Sequence, residues 1–228
     1  NLDRLAYDCW NAITVVPGAT SAFRKSAIVK AGGIVADTLA EDTDLTFHLH
    51  RVGYQICYAP QAVAYTEAPD TIRILVRQRV RWAFGTLQCL WKHRDLVGSF
   101  KHPGLGWFSL PSVWFCQIFL VALVPVVDVM LILSLIWGAG GALAGYVVFF
   151  FALEWAMALL GCYLEREPLW TSLRIFPMRF VYRPLLCYAV WASIIRALRG
   201  AWYGWGKQDR KGTVNTLLET QETTKKAA

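Results

Sequence analysis

The sequence predicts an α/β domain followed by a bundle of apolar helices, on three observations. Two β-rich stretches, Ile13-Thr14-Val15-Val16 and Tyr54 to Ala64, alternate with segments whose apolar residues recur at helical spacing. A basic amphipathic stretch then runs from Thr71 to Lys92. Beyond Gly106 the chain becomes so apolar that 56% of all 228 residues are hydrophobic and the mean hydropathy is +0.37, above the level of an ordinary soluble domain.

Taken in order, residues 1–12 carry Leu2, Leu5, Ala6 and Cys9 at helical spacing. Ile13 to Val16 is β-branched and stops at Pro17-Gly18, which predicts a strand running into a turn. Small residues follow (Gly18-Ala19-Thr20-Ser21-Ala22), then Phe23-Arg24-Lys25 and a short helix to Ala31 that Gly32-Gly33 ends. Leu45, His48, Leu49 and Val52 mark a second helix, with Gly53 placed just past its end. His48 and His50, two residues apart, read as solvated side chains. Tyr54 to Ala64 alternates around Pro60 as a strand or strand pair would. Asp70 or Thr71 is placed to cap the helix that reaches Lys92. With Arg73, Arg77, Arg79 and Arg81 flanking its apolar face, that helix reads as lying on a membrane surface.

Val113–Trp137 gives about 36 Å of helix, enough to cross ~30 Å of hydrocarbon. Pro125 is placed to kink it, and Gly138 to Gly141 forms a tight turn. Ala142–Leu164 returns as a second span. Pro184 to Ile195 alone is only about 18 Å long, but 180–199, with Arg183 and Arg196 snorkelling, reaches about 30 Å and is a third candidate span. The tail from Gly200 is basic (Lys207, Arg210, Lys211) and thins to a Thr/Lys-rich end expected to be disordered. Lys92, Arg94 and Lys101 precede the first span and Arg166, Arg174 and Arg179 follow the second, while the turn between them is uncharged. The positive-inside rule therefore places the first hundred residues in the cytoplasm of a multi-pass inner or plasma-membrane protein.

The formal net charge of +7 admits an anionic partner. Its cations are dispersed or lie beside apolar spans, which favours membrane lipid and a phosphorylated substrate over nucleic acid. Six scattered cysteines without a C-x-x-C pattern predict free thiols and no structural metal. A start at Asn1-Leu2-Asp3-Arg4, with no initiator Met or signal-like core, leads us to expect the C-terminal part of a longer protein.

Two constellations carry chemistry. Leu39-Ala40-Glu41-Asp42-Thr43-Asp44 puts a carboxylate at a helix start, where it can take a proton from a hydroxyl. The alternative is that these acids only complement the helix dipole. Gln78, Arg81 and Trp82, at i, i+3 and i+4, share one side of a helix. Arg81 suits a pyrophosphate and the indole suits a sugar face. Asp42-Thr43-Asp44 spells D-x-D, yet residues two apart on a helix do not share a face, so no metal ligand is assigned and Asp44 is expected to be dispensable. Asp128 and Glu154 are costly in lipid and are candidates for a polar path.

Glu41-Asp42 upstream, Gln78-Arg79-Val80-Arg81-Trp82 next and apolar spans after them resemble membrane-embedded family 2 glycosyltransferases, the group of cellulose, chitin, hyaluronan and poly-N-acetylglucosamine synthases. The usual Thr before Glu-Asp is Ala40 here. The resemblance implies a GT-A-like domain over 1–105, a membrane region over 106–199 and a basic tail over 200–228. It implies inverting transfer from a UDP-sugar to a growing polysaccharide, with export and an accessory membrane subunit. Asp42 would be the base. Glu41, Gln78, Arg79, Arg81, Trp82 and Arg24 would bind substrate, and Asp128 and Glu154 would line a channel. A divalent cation, Mg or Mn, is implied with ligands outside these residues, so the chain alone is expected to be inactive. The last stretch, Tyr182 to Lys207, is closer in composition to the N-acetylglucosamine polymer synthases. Two rival readings are a polyprenyl-phosphate sugar transferase and a non-catalytic transporter or channel subunit.

Overall fold

A computed structural model describes residues 2–35, 37–137 and 140–200. The expected α/β fold is not what forms: among the described residues there is no strand, and the architecture is helical. The basic tail from residue 201 onwards and the first half of the expected Gly138–Gly141 turn, residues 138–139, lie outside the described residues.

The amino-terminal part holds α1 (Leu2–Cys9), α2 (Lys25–Lys30), α3 (Glu41–Arg51) and α4 (Ile72–Lys92). Gly32 and Gly53 follow α2 and α3 at φ of +93° and +85°, the left-handed conformation in which a side chain is strained. Thr71 caps α4, its Oγ1 accepting from the Ile74 amide at 3.4 Å.

The physical reason for the missing strands is visible at Ile13–Val16. A strand needs a neighbouring backbone to complete its ladder, and here side chains satisfy the backbone instead. The Val16 amide donates to Thr46 Oγ1 at 3.1 Å, the Ile13 carbonyl lies 2.8 Å from His50 Nε2, and the Ala12 carbonyl accepts from Ser109 Oγ. Thr46 and His50, one turn apart on α3, thus dock an extended segment onto a helix. His50 is therefore buried, contrary to the solvated reading. The second extended stretch is tied by the Ile56 amide, which donates to Asn11 Oδ1 at 3.2 Å.

Two cores meet at α3. Leu45 and Leu49 join Ile13, Ala27, Ala31 and Ile56. Phe47, on the other side, joins Cys89, Leu90, Leu96, Leu105, Leu110, Val113, Ile118 and Val190. The second core mixes α4 with helices from the apolar half, so α4 is packed between α3 and those apolar helices.

Three helical runs are long and apolar enough to cross a membrane: Gly104–Ser134, Ala144–Leu164 and Leu169–Leu198. The first combines a π-helical turn, a single turn α5 (Leu110–Ser112), a second π-helical segment Val113–Phe119 and α6 (Leu120–Ile136). It starts well before Val113, and α6 continues through Pro125 without a break in helix. The second is α7 (Gly140–Leu164). The third is assembled from a 3₁₀ segment, the single turn α8 (Ile175–Pro177), a π-helical turn Met178–Tyr182 and α9 (Arg183–Leu198). Gly104–Ser109 and Met178–Tyr182 each widen just before a proline, Pro111 or Pro184. Proline lacks an amide and crowds the carbonyl one turn back, and a widened turn absorbs both defects. α9 lies along α4, with Ser193 Oγ donating to the Val80 carbonyl at 3.2 Å.

Candidate active site

A cleft of about 350 Å³ opens where α3 and α4 face each other, within the usual size of a small-ligand site. One wall is the start of α3, with Glu41, Asp42 and Thr43; the opposite wall is α4, with Arg81, Trp82 and Thr86. Gln117, from the first apolar run, also lines the cleft.

The Asp42 carboxylate is oriented from the backbone. Oδ1 accepts from the Thr43 amide at 2.8 Å, and Oδ2 accepts from the Gly18 amide at 3.4 Å. Thr46 Oγ1 donates to the Asp42 carbonyl at 2.7 Å while accepting from Val16, so one hydroxyl ties the Asp42 wall to the extended segment. On the facing wall the Trp82 indole is 47% exposed. Arg79 lies over its ring at 4.5 Å and over the Tyr182 ring at 5.4 Å, within cation–π range. Arg79 thus braces Trp82 against the third apolar run, and its buried Nε has no hydrogen-bond partner among the described residues.

Of the other residues singled out in the sequence, Gln78 and Arg24 do not line this cleft, and Arg24 is exposed just before α2. Glu154 is bound to Arg179 at 2.5 Å and to Arg183 at 3.4 Å. Asp128 is exposed on α6 without an ion-pair partner among the described residues. Sequence reasoning missed Thr86 and Gln117. A signal was present for each: Thr86 is one turn beyond Trp82, and Gln117 is the lone carboxamide between Val113 and Val127.

Asp44 points away from the cleft and is 1% exposed. Lys92 Nζ reaches it at 2.9 Å and His93 Nε2 at 2.7 Å. His48 Nε2 lies 3.6 Å away. Burial alone would raise the Asp44 pKa, but the hydrogen bonds from His93 and Lys92 outweigh it and hold the carboxyl below its ordinary range. Lys92 is shifted up: its partial burial is outweighed by hydrogen bonds to Asp37 and Asp44. Burial pulls His48 and His50 down and pushes the Cys89 thiol up to about 12.

Neither arrangement of acids fits a divalent cation. Asp42 and Asp44 face opposite ways, so the D-x-D does not converge. Asp44, His48 and His93 do bring their ligand atoms within 4.8 Å of one another, but the Lys92 ammonium already occupies that carboxylate. Arg51 Nε also donates to His93 Nδ1 at 3.2 Å. That bond fixes the proton on Nε2, the atom a metal would need free.

The model of the family described as glycosyl transferase family group 2 matches residues 9–206. Among curated relatives, the probable glycosyltransferase YdaM of Bacillus subtilis is 42% identical over 76 residues, 33% of this chain and 18% of that protein. A poly-β-1,6-N-acetyl-D-glucosamine synthase of Staphylococcus aureus is 37% identical over 90 residues, 40% of this chain and 21% of that protein. The chain thus spans about a fifth of the length of these relatives. No solved structure matches it significantly.

Proposed function

The chain belongs to glycosyl transferase family group 2, and from that premise we propose that its cleft serves transfer of a sugar from a UDP-sugar to a growing polysaccharide at a membrane. The observation that carries this reading is the meeting of Glu41 and Asp42 with Arg81 and Trp82 across one cleft, although the two pairs are some forty residues apart in the chain. In this reading Asp42 takes the proton from the acceptor hydroxyl as the hydroxyl oxygen attacks the donor's anomeric carbon. Inversion follows because UDP leaves from the opposite face. Arg81 neutralises the departing diphosphate by paired hydrogen bonds, and Trp82 offers its exposed face to the acceptor sugar. A divalent cation belongs to this reaction by family resemblance, and the described residues supply no fitting site for it.

N-acetylglucosamine is the favoured sugar, from the name of the Staphylococcus aureus relative, a poly-β-1,6-N-acetyl-D-glucosamine synthase. Three apolar helical runs support membrane embedding, with the first hundred residues cytoplasmic by charge distribution. Export of the polymer and an accessory membrane subunit complete the proposal. Membranes carrying the natural protein, incubated with labelled UDP-N-acetylglucosamine, test it. Polymer is expected; a lipid-linked monosaccharide would make it a polyprenyl-phosphate transferase, and no product would favour a transport role. Asp42→Asn should reduce polymer formation by about 10²–10⁴-fold while UDP binding persists.

A further inference from the structure

The approach of α3 to α4 rests on one face of α4. Gly85, Gln88, Cys89 and Lys92 recur at i, i+3, i+4 and i+7, and His93 caps the helix. All five meet the segment from Asp37 to Asp44. A Cβ on Gly85 would lie 2.8 Å from Ala40 Cβ. Gln88 Oε1 accepts from the Leu39 amide at 2.9 Å, and Cys89 Sγ donates to the Ala40 carbonyl at 3.4 Å. Lys92 Nζ donates to both oxygens of Asp37, at 3.0 and 2.8 Å, and to Asp44. His93 donates to Asp44 through the tautomer that Arg51 selects, and Arg51 is itself held by Asp95 at 2.6 Å.

The buried end of this face is polar where an apolar contact would have been simpler. Burying the Asp44 carboxylate and the His93 imidazole, with the Lys92 ammonium partly covered, brings a desolvation penalty, and hydrogen bonds from both Lys92 and His93 to one carboxylate fix one relative geometry more narrowly than apolar packing does. What this network fixes is the position of Asp42, two residues before Asp44, relative to Arg81 and Trp82, which lie on α4 one turn before Gly85. We propose that Asp44 is a positioning residue for the transfer reaction, clamping the Asp42 segment to α4 through Lys92 and His93 so that base, diphosphate site and acceptor site stay in register. The inference rests on the assignment of Asp42 as base, and it replaces the reading of Asp44 as a dispensable helix-start charge.

The test is a double-mutant cycle on the natural protein in membranes, with labelled UDP-N-acetylglucosamine as donor and rates normalised to protein amount. Asp44→Asn should lower kcat by about 10²-fold, the usual effect of displacing a reacting group by roughly 1 Å, with the donor KM within about twofold. Lys92→Met, at a side chain 30% exposed and so less demanding of the fold, should lower kcat about tenfold. The deciding readout is coupling to Asp42. If Asp44 acts through Asp42, adding Asp42→Asn to either variant costs only a few-fold more. A role in folding alone would scale every activity by the folded fraction, and the single effects would multiply. Multiplicative effects, or wild-type kcat in Asp44→Asn, overturn the inference. If Asp44→Asn does not accumulate, the Lys92→Met cycle decides by the same criterion. A wild-type rate in Asp42→Asn alone would instead remove the base assignment, and the positioning role with it.

Discussion

Gly85→Ala separates the geometry of the cleft from the stability of the fold. At an exposed position this change would favour the helix by about 1 kcal/mol. Here the added Cβ would lie 2.8 Å from Ala40 Cβ, 2.9 Å from the Ala40 amide nitrogen and 3.1 Å from the Leu39 carbonyl carbon. Two of these neighbours are backbone atoms, so no flexible side chain can give way. The Leu39-Ala40 segment must retreat by roughly 0.5 Å or more, and such overpacking costs about 1–3 kcal/mol. The net loss of stability is then at most about 2 kcal/mol, because helix propensity offsets part of it. The effect on the reaction is larger, since the displaced segment leads directly into Glu41-Asp42. Misplacing a reacting group by about 1 Å costs on the order of 10²-fold, so a shift of half that size predicts a loss of tenfold or more. The assay is initial-rate polymer synthesis in membranes alongside thermal unfolding in detergent. A rate within twofold of wild type would mean that Gly85 does not set the position of Asp42, and the reasoning would fail.

Two further outcomes follow from the charges. His50 is 2% exposed, and burial holds its pKa below the ordinary histidine value. The unfolded chain binds that proton from about pH 6.5 downwards while the folded chain resists it. The His50 contribution to stability is therefore complete above about pH 6.5 and is lost on acidification towards pH 5, with His48 acting in the same direction. Asp44, also held low, gives way only near or below about pH 4. Melting temperatures between pH 7 and 5 should fall less steeply for His50→Gln than for wild type, and equal slopes would count against a buried neutral imidazole. Glu154→Gln leaves Arg179 and Arg183 without their carboxylate. It should lower the melting temperature in detergent more than Glu154→Gln/Arg179→Met/Arg183→Met does, because charges left without their partner cost more than a network removed whole. The reverse order would show that the ion pair does not hold α7 to the third apolar run.

What could be read from the sequence was what local rules control. Thr71 caps α4 through its own hydroxyl. Gly53 and Gly32 stop α3 and α2 where a left-handed residue is needed. The apolar runs announce themselves by length and composition, although Gly104–Ser134 begins earlier than its charge-free centre suggested. The strands failed because alternation and β-branching report which side chains are buried, and do not report what completes the backbone hydrogen bonds. At Ile13 and Val16 those partners are His50 and Thr46 of a helix thirty or more residues away. The burial of Asp44 was not legible for a related reason. A helix-start acid is normally solvated, and its burial here depends on Lys92 and His93, which no local pattern connects to it. In the cleft, the spacing rule put Gln78, Arg81 and Trp82 on one helix side, yet the wall reaches onward to Thr86 and omits Gln78. The direction in which a helix side is used depends on where the partner wall stands.

That partner wall stands where it does because α4 is held on both sides by contacts of opposite character. Towards α9 the contact is apolar and close, with Val80 and Phe84 buried and Ser193 bonded to the Val80 carbonyl. Towards the Asp42 segment it is polar, through Gln88, Lys92 and His93. Apolar packing tolerates small sliding at little cost, whereas a buried charge network loses its partners when it slips. A displacement of the apolar helices would therefore carry α4 and the Asp42 segment together, leaving the distance across the cleft unchanged. Arg79, stacked between Trp82 and Tyr182, is the exception: it couples the Trp82 side of the cleft to the third apolar run. Movement of the third apolar run would thus reach the Trp82 indole before it reached Asp42.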